Sequence, residues 1–218
     1  MGLQSDKLLL RLRERPVVAW AVLALDGCRL VESITVVASE HNLEELARVL
    51  DALPTTLPLE LILGGPRRQD SVARAVQHLA KAAPELVVVH DGARPLVSSD
   101  LLCNVIEAGE EHGAATAALP LRNACKEVDD AGFIRRSVER SSLVSVQTPQ
   151  AFRFDILRRA HDEGQRTGAV VDDDAELVER LGLPVKVVDG EYRNIKITTV
   201  DDLGLLEAHL NSMAAEAG

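Results

Sequence analysis

Two short clusters in the chain carry residue types that handle phosphate and metal chemistry. His90-Asp91-Gly92-Ala93-Arg94-Pro95 follows directly on the apolar run Leu86–Val89. An acid placed there can hold a divalent ion or a substrate hydroxyl, and the planar Arg94 fork suits a phosphate. A turn or capping role is the ordinary alternative for Asp91. We read Asp91 and Arg94 as functional and His90 as a satisfied strand-end histidine. Gly64-Gly65-Pro66-Arg67-Arg68-Gln69-Asp70-Ser71 follows a second apolar run, Leu59–Leu63. Its glycines permit close backbone approach to a ligand, and the next helix starts with unpaired N–H groups near Asp70 and Ser71. A plain glycine turn with a helix cap fits equally well, so both readings stand.

Three further features are weaker. Thr148-Pro149-Gln150 follows a Ser/Val-rich stretch and reads as a rigid turn exposing a hydroxyl. Asp172-Asp173-Asp174 with Glu176 has charge enough for a cation. Acids ahead of Leu177-Val178 at a helix start are commonly caps and dipole partners, and we read them so. Asn194-Ile195-Lys196 sets a lysine inside an apolar strand, facing either solvent or the cleft.

The elements that must position these residues follow from composition and periodicity. The 218 residues are 46% apolar and 27% charged, enough for a real core, and with three Phe, one Tyr and one Trp that core must be Val, Leu, Ile and Ala. A net charge of −10 argues against a nucleic-acid platform, while a small anionic substrate needs only a local basic cluster. Cys28, Cys103 and Cys125 lack metal-type spacing and read as buried thiols of a reducing cytoplasm. The longest apolar run, 17–25, is too short to span a bilayer. The expected protein is cytoplasmic, with neither a membrane nor a nucleic acid as partner.

No repeat or linker divides the chain, so residues 1–218 are expected to form one domain. Helices are expected from Pro16 toward Cys28, over 42–50, 72–79, 99–112, 156–161 and 175–181, and from Val200 onward. Strands are expected over 33–38, 59–63, 86–89, 114–119, 185–188 and 194–198, with antiparallel pieces at 126–128 and 133–137. This alternation indicates the α/β class, a single mostly parallel sheet with helices on both faces. Ligands of such sheets sit beyond the carboxyl ends of strands, where both clusters fall.

Taken in order, the clusters resemble one family closely, the 2-C-methyl-D-erythritol 4-phosphate cytidylyltransferases, over essentially the whole chain. The resemblance rests on Asp6-Lys7, Gly64-Gly65-x-x-Arg68-x-x-Ser71-Val72, His90 to Pro95, Val138-Glu139-Arg140, Thr148-Pro149-Gln150 and Asn194 to Thr198. It implies a Rossmann-like nucleotidyltransferase fold with a small antiparallel dimerisation arm at about residues 121–145. It also implies transfer of CMP from CTP to methylerythritol phosphate with Mg2+, in isoprenoid biosynthesis. Lys7 resembles the lysine that stabilises charge on the CTP α-phosphate. Gly65 and Ser71 resemble residues that recognise cytosine, with Gly64 and Arg68 in the same loop. Asp91 and Arg94 resemble residues around the substrate and the magnesium, Asp91 being the metal candidate while the ion rests mainly on CTP phosphates. Thr148 and Lys196 resemble binders of the polyol phosphate. Arg140 resembles an arginine that reaches a neighbouring subunit's substrate, which implies a homodimer. Lys7, Arg140 and Lys196 form the implied catalytic set.

Two departures from the family pattern stand out. Met1-Gly2 aligns with the end of the family's Gly-rich nucleotide loop, so most of that loop and an interior strand are expected to be missing. Asn123-Ala124 stands where the family usually has Asp-Thr, which removes a hydroxyl expected near the partner's substrate. Two alternatives stay open: a ribitol-phosphate type of cytidylyltransferase, and a non-catalytic paralogue acting as a dimer or binding partner.

Overall fold

The computed structural model describes residues 6–216, so Met1-Gly2 lie outside the described residues. A 3-10 turn at Lys7–Leu9 leads to β1 (Arg11–Leu12), β2 (Arg15–Pro16), α1 (Val17–Asp26), β3 (Ile34–Ala38), α2 (Leu43–Asp51), β4 (Leu59–Leu63) and α3 (Arg68–Leu79). Next come β5 (Leu86–Val89), α4 (Ser99–His112), β6 (Ala114–Pro120), β7 (Cys125–Val128) and β8 (Ile134–Val138). The chain continues through β9 (Val144–Arg153), α5 (Phe154–Thr167), α6 (Asp174–Arg180), β10 (Lys186–Asp189) and α7 (Asp201–Glu216).

The apolar runs became strands because both of their faces are covered. In β5, Leu86 and Val88 pack with Leu101, Leu102 and Val105 of α4. Val87 and Val89 point the other way, onto Val76 of α3, Phe154 and Leu157 of α5 and Leu177 of α6. A strand packed on both sides, each of its four residues half-buried, has no fully solvent-facing position, which explains the unbroken Leu-Val-Val-Val. β6 and β9 divide in the same manner, with Ala115, Ala117 and Ala151 toward α4 and Ala114 and Phe152 toward α5. α4 comes close to the sheet because Gly109 lies over Ala151, whose Cβ would be 2.7 Å from a Cβ at that position. The α/β class and the helices on both faces are as expected.

The sheet itself differs. Among the described residues it falls into two pieces, β3 with β4 in parallel and a mixed sheet of order β10-β6-β9-β5. Only β10 and β6 run parallel in the second piece, and β9 is antiparallel to both of its neighbours. This strand contains Thr148-Pro149-Gln150, which the sequence presents as a turn. Pro149 argues against a central strand because it cannot donate to a ladder. It is tolerated because the β6–β9 register shifts between Thr116 and Ala118, so the missing donor falls at an irregularity. A second correction concerns 194–198, which joins no ladder among the described residues and is anchored where Ile197 N–H donates to the Ala93 carbonyl at 2.9 Å. Beyond Pro120, β7 and β8 form the expected antiparallel excursion, with Val128, Phe133 and Ile134 exposed.

Candidate active site

The loops after β4 and β5 are joined by one arginine. Arg68, the first residue of α3, donates from Nε to Asp91 Oδ1 at 3.1 Å and from Nη1 to Asp174 Oδ2 at 2.8 Å. The other Asp91 oxygen pairs with Lys196 Nζ at 2.9 Å and lies 3.5 Å from Arg94 Nε. Arg94 Nη1 donates to the Asn194 carbonyl at 2.8 Å. Three cations thus share two carboxylates, a local positive excess in an acidic chain. Arg68 Nη2 is a buried donor with no hydrogen-bond acceptor among the described residues, and Arg94 Nε meets only Asp91, at the ion-pair distance of 3.5 Å. A buried donor left unmade costs about 1–3 kcal/mol.

The charges order the titrations. Burial alone pushes the Asp91 carboxyl up, but Lys196 and Arg68 outweigh it and hold the group at about 2. Burial lowers the Arg68 guanidinium as well, yet Asp174 and Asp91 more than offset this and leave it above its ordinary value. Lys196 is 41% exposed on its side chain and Asp91 12%, so the lysine lies on the open side of the cluster and faces the carboxylate.

Thr148 enters the cluster from β9 and is 4% exposed, so its hydroxyl is engaged rather than displayed. It accepts from the Asp91 N–H at 2.9 Å and lies 3.3 Å from His90 Nδ1. His90 Nε2 in turn reaches the Arg94 carbonyl at 3.1 Å. A neutral ring with the proton on Nε2 satisfies all of these contacts, as a strand-end histidine should. Burial lowers the His90 pKa to about 4. Between pH 6.5 and 4 the unfolded chain therefore binds a proton that the folded chain does not, and stability falls as pH falls through that window. Urea titrations at about pH 7 and pH 4.5 should show the wild-type chain losing about 2–3 kcal/mol more than His90→Gln. Equal losses would mean that His90 is protonated in the native state.

Sequence reasoning missed several members. Asp173 caps α6 by accepting from Glu176 N–H at 2.9 Å, as expected. Asp174 is different: it is 1% exposed, and its second oxygen receives His161 Nε2 at 2.9 Å. Reading Asp174 as a simple cap is therefore corrected. His161 was legible as a polar residue on the apolar stripe Phe154, Leu157, Ala160, Gly164 of α5. Gln147 and Asn194 replace the missing ladder at 194–198. Asn194 Nδ2 donates to the Thr148 carbonyl at 2.8 Å, and Gln147 Nε2 donates to the Glu191 and Asn194 carbonyls at 3.1 and 3.3 Å. These bonds fix the segment that carries Lys196.

The remaining expected residues divide. The Gly64-Gly65 turn is closed by Ser71, whose Oγ accepts from Gly65 N–H at 3.1 Å and donates to the Gly65 carbonyl at 3.3 Å. A Cβ on Gly64 would lie 2.8 Å from Val37 Cγ1, so the turn needs glycine for space. Asp70 takes the Arg67 N–H at 3.2 Å, which makes the helix cap real. Lys7 sits in the 3-10 turn, where its neighbour Leu8 packs onto the cluster of Leu12, Ala93 and Ile197. That brings the turn against the loop holding Asp91. Arg140 is exposed after β8 and is not brought to the cluster. Among the described residues no group of three or more His, Cys, Asp or Glu is placed to hold a metal. Of the two carboxylates in the cluster, Asp91 at 12% exposure is more accessible than Asp174 at 1%. Oxygen donors from a phosphorylated ligand would have to complete a magnesium shell, which is the usual manner of that ion. A cavity of about 340 Å³ also lies between α3 and α5, but its Arg67 is tied to Asp70 and no set of cations converges there.

A family model described as IspD: 2-C-methyl-D-erythritol 4-phosphate cytidylyltransferase matches residues 1–212. Relatives of that name from Trichormus variabilis and Bacillus cereus are 39% and 37% identical, covering 97% of this chain and 92% of each relative. The solved Thermus thermophilus protein of the same name has 35% identity and a TM-score of 0.78, covering 94% of this chain and 93% of its own. The 4-diphosphocytidyl-2C-methyl-D-erythritol synthase of Anaerococcus prevotii has 27% identity and a TM-score of 0.83, covering 93% and 91%.

Proposed function

Because the chain belongs to the 2-C-methyl-D-erythritol 4-phosphate cytidylyltransferase family, we propose that its reaction runs at the Asp91 cluster. The enzyme is a nucleotidyltransferase: CMP passes from CTP to 2-C-methyl-D-erythritol 4-phosphate, giving 4-diphosphocytidyl-2-C-methyl-D-erythritol and pyrophosphate. The family match favours this acceptor over ribitol phosphate and argues against a non-catalytic paralogue. The observation that carries the site is the convergence of Arg68, Arg94 and Lys196 on Asp91, with Lys196 on the open side.

The acceptor phosphate oxygen attacks the α-phosphorus in line with the departing pyrophosphate, so charge gathers on the equatorial oxygens. Fixed cations and positioning are what this needs, and no side-chain nucleophile is required. Lys196, on the open side, takes the acceptor phosphate, and Lys7 answers the charge on the α-phosphate. Cytosine lies against the Gly64-Gly65 turn that Ser71 holds closed, where a Gly65 carbonyl lone pair is left for its amino group. Lys196 and Arg68 keep Asp91 ionised, Arg94 lies beside it, and Thr148 fixes its backbone. Asp91 would hold magnesium together with the CTP phosphates, and the ion when bound would neutralise developing negative charge.

In this reading the chain is one nucleotidyltransferase domain, and the segment at about 121–145 is its dimerisation arm. The exposed Val128, Phe133 and Ile134 of the hairpin give that arm an apolar face for a second copy, and Arg140 reaches across. No helix among the described residues is long and apolar enough to cross a membrane, and the three cysteines are free, which supports a cytoplasmic placement. The test is a 31P NMR product assay with CTP, magnesium and either acceptor. A new diphosphate signal is expected with the methylerythritol phosphate and its loss with EDTA; a faster reaction with ribitol 5-phosphate would reverse the acceptor assignment. In the same assay an equal mixture of Arg140→Ala and Lys196→Met chains should regain about a quarter of wild-type activity, because half the dimers carry one intact site. A mixture as inactive as its parents despite subunit exchange would remove Arg140 from the partner's site.

A further inference from the structure

Cys28 and Cys103 hold their sulfurs 3.8 Å apart although 75 positions separate them in the chain. Cys28 lies in the turn after α1 and is 2% exposed, while Cys103 lies on α4 and is partly exposed. The turn is fixed, since Cys28 N–H donates to the Leu25 carbonyl and the Cys28 carbonyl accepts from Val31 N–H, both at 3.1 Å. Both cysteines pack in one apolar cluster with Leu101, Leu102 and Val105. Reaching a bond of about 2.05 Å requires less than about 2 Å of approach, shared by two side chains. Nothing in the transfer reaction uses a thiol.

We propose that Cys28 and Cys103 form a redox-active dithiol, a modification site at which a low-molecular-weight disulfide installs an intramolecular disulfide. The more accessible Cys103 reacts first. Its thiolate attacks one sulfur of the disulfide, breaks that S–S bond and expels one thiolate, leaving a mixed disulfide on Cys103. Cys28 loses its proton and attacks the Cys103 sulfur, expelling the second thiolate. Two protein thiols are oxidised by two electrons, one disulfide is reduced, and the two protons end on the released thiols. Burial pushes the Cys103 thiol up, so the reaction quickens as pH rises above neutral.

The cross-link would fasten α1 to α4, and both helices support the Asp91 cluster. Val18 of α1 lies 3.8 Å from where a Gly92 Cβ would stand. Ser98, the cap of α4, donates to Glu191 Oε1 at 2.6 Å in the segment leading to Lys196.

The reduced chain is incubated in native buffer at about pH 8.5 with oxidised glutathione, quenched in acid, unfolded, alkylated and digested. The expected result is one peptide pair joining Cys28 to Cys103, lighter by two hydrogens, and a thermal midpoint raised by about 5–10 °C. Cys103→Ser should lose the pair, and Cys125→Ser should keep it. Recovery of both thiols alkylated would overturn the proposal, as would a glutathione adduct that persists on Cys103 beside a free Cys28. A cross-link that forms in urea and never in native buffer would overturn it too.

Discussion

Replacing Lys196 by methionine lowers kcat/KM for the acceptor phosphate by about 100- to 1,000-fold while CTP affinity and folding hold steady. The lysine is the most exposed cation on Asp91, at 41% of its side chain against 30% for Arg68 and 11% for Arg94. A ligand can therefore reach it without disturbing the core. Asp91 keeps Arg68, with Arg94 3.5 Å away, but loses the half-exposed Lys196, so the unfolding free energy should fall by about 1 kcal/mol and the chain should stay folded. Lys186→Met, at an exposed position on β10, is the matched control and should change neither quantity. Steady-state kinetics with the acceptor varied, read beside urea titrations, decide the matter. Unchanged kinetics would return Lys196 to the surface.

The second large effect is on stability. Asp174→Ala should cost about 3–5 kcal/mol in urea unfolding, because it removes one partner from a buried charge pair. Asp174 is 1% exposed and holds both Arg68 and His161. Its loss leaves Arg68 with only Asp91 and leaves His161 without its acceptor. Adding Arg68→Met should recover part of the loss, since the stranded cation goes with it, whereas independent sites would make the two losses add. A cost for Asp174→Ala below about 1 kcal/mol would mean that the Arg68–Asp174–His161 chain contributes little to the fold.

Residues with a local signal were legible in the sequence. Leu-Val-Val-Val announces a doubly buried strand, and the acid after it falls at the ligand-bearing end of the sheet. The Arg67–Asp70 cap and the glycine turn are likewise local patterns. β9 was hidden because Pro149 and the polar Ser145, Gln147 and Thr148 break the apolar run. Only the neighbouring register irregularity and side-chain bonds to Thr116 and Ala175 make that strand possible. Asp174 was hidden for a related reason: three aspartates in a row look alike, and only the fold decides that one caps a helix while the next is buried against Arg68 from more than 100 positions away. Lys196 was ambiguous in sequence because strand alternation gives two faces. The structure places its ammonium 2.9 Å from Asp91, and Gln147 and Asn194 hold that segment without a ladder among the described residues.

A crystal structure of the chain with CTP and magnesium bears most directly on whether catalysis takes place at Asp91. Triphosphate density is expected in the cleft beyond β5, within hydrogen-bond distance of the Lys7 ammonium and beside the Arg68–Asp91 pair, with Lys196 left for the acceptor phosphate. Cytosine should lie against the Gly64-Gly65 backbone. A nucleotide seated in the cavity between α3 and α5, with its phosphates away from Lys7 and Asp91, would contradict this assignment.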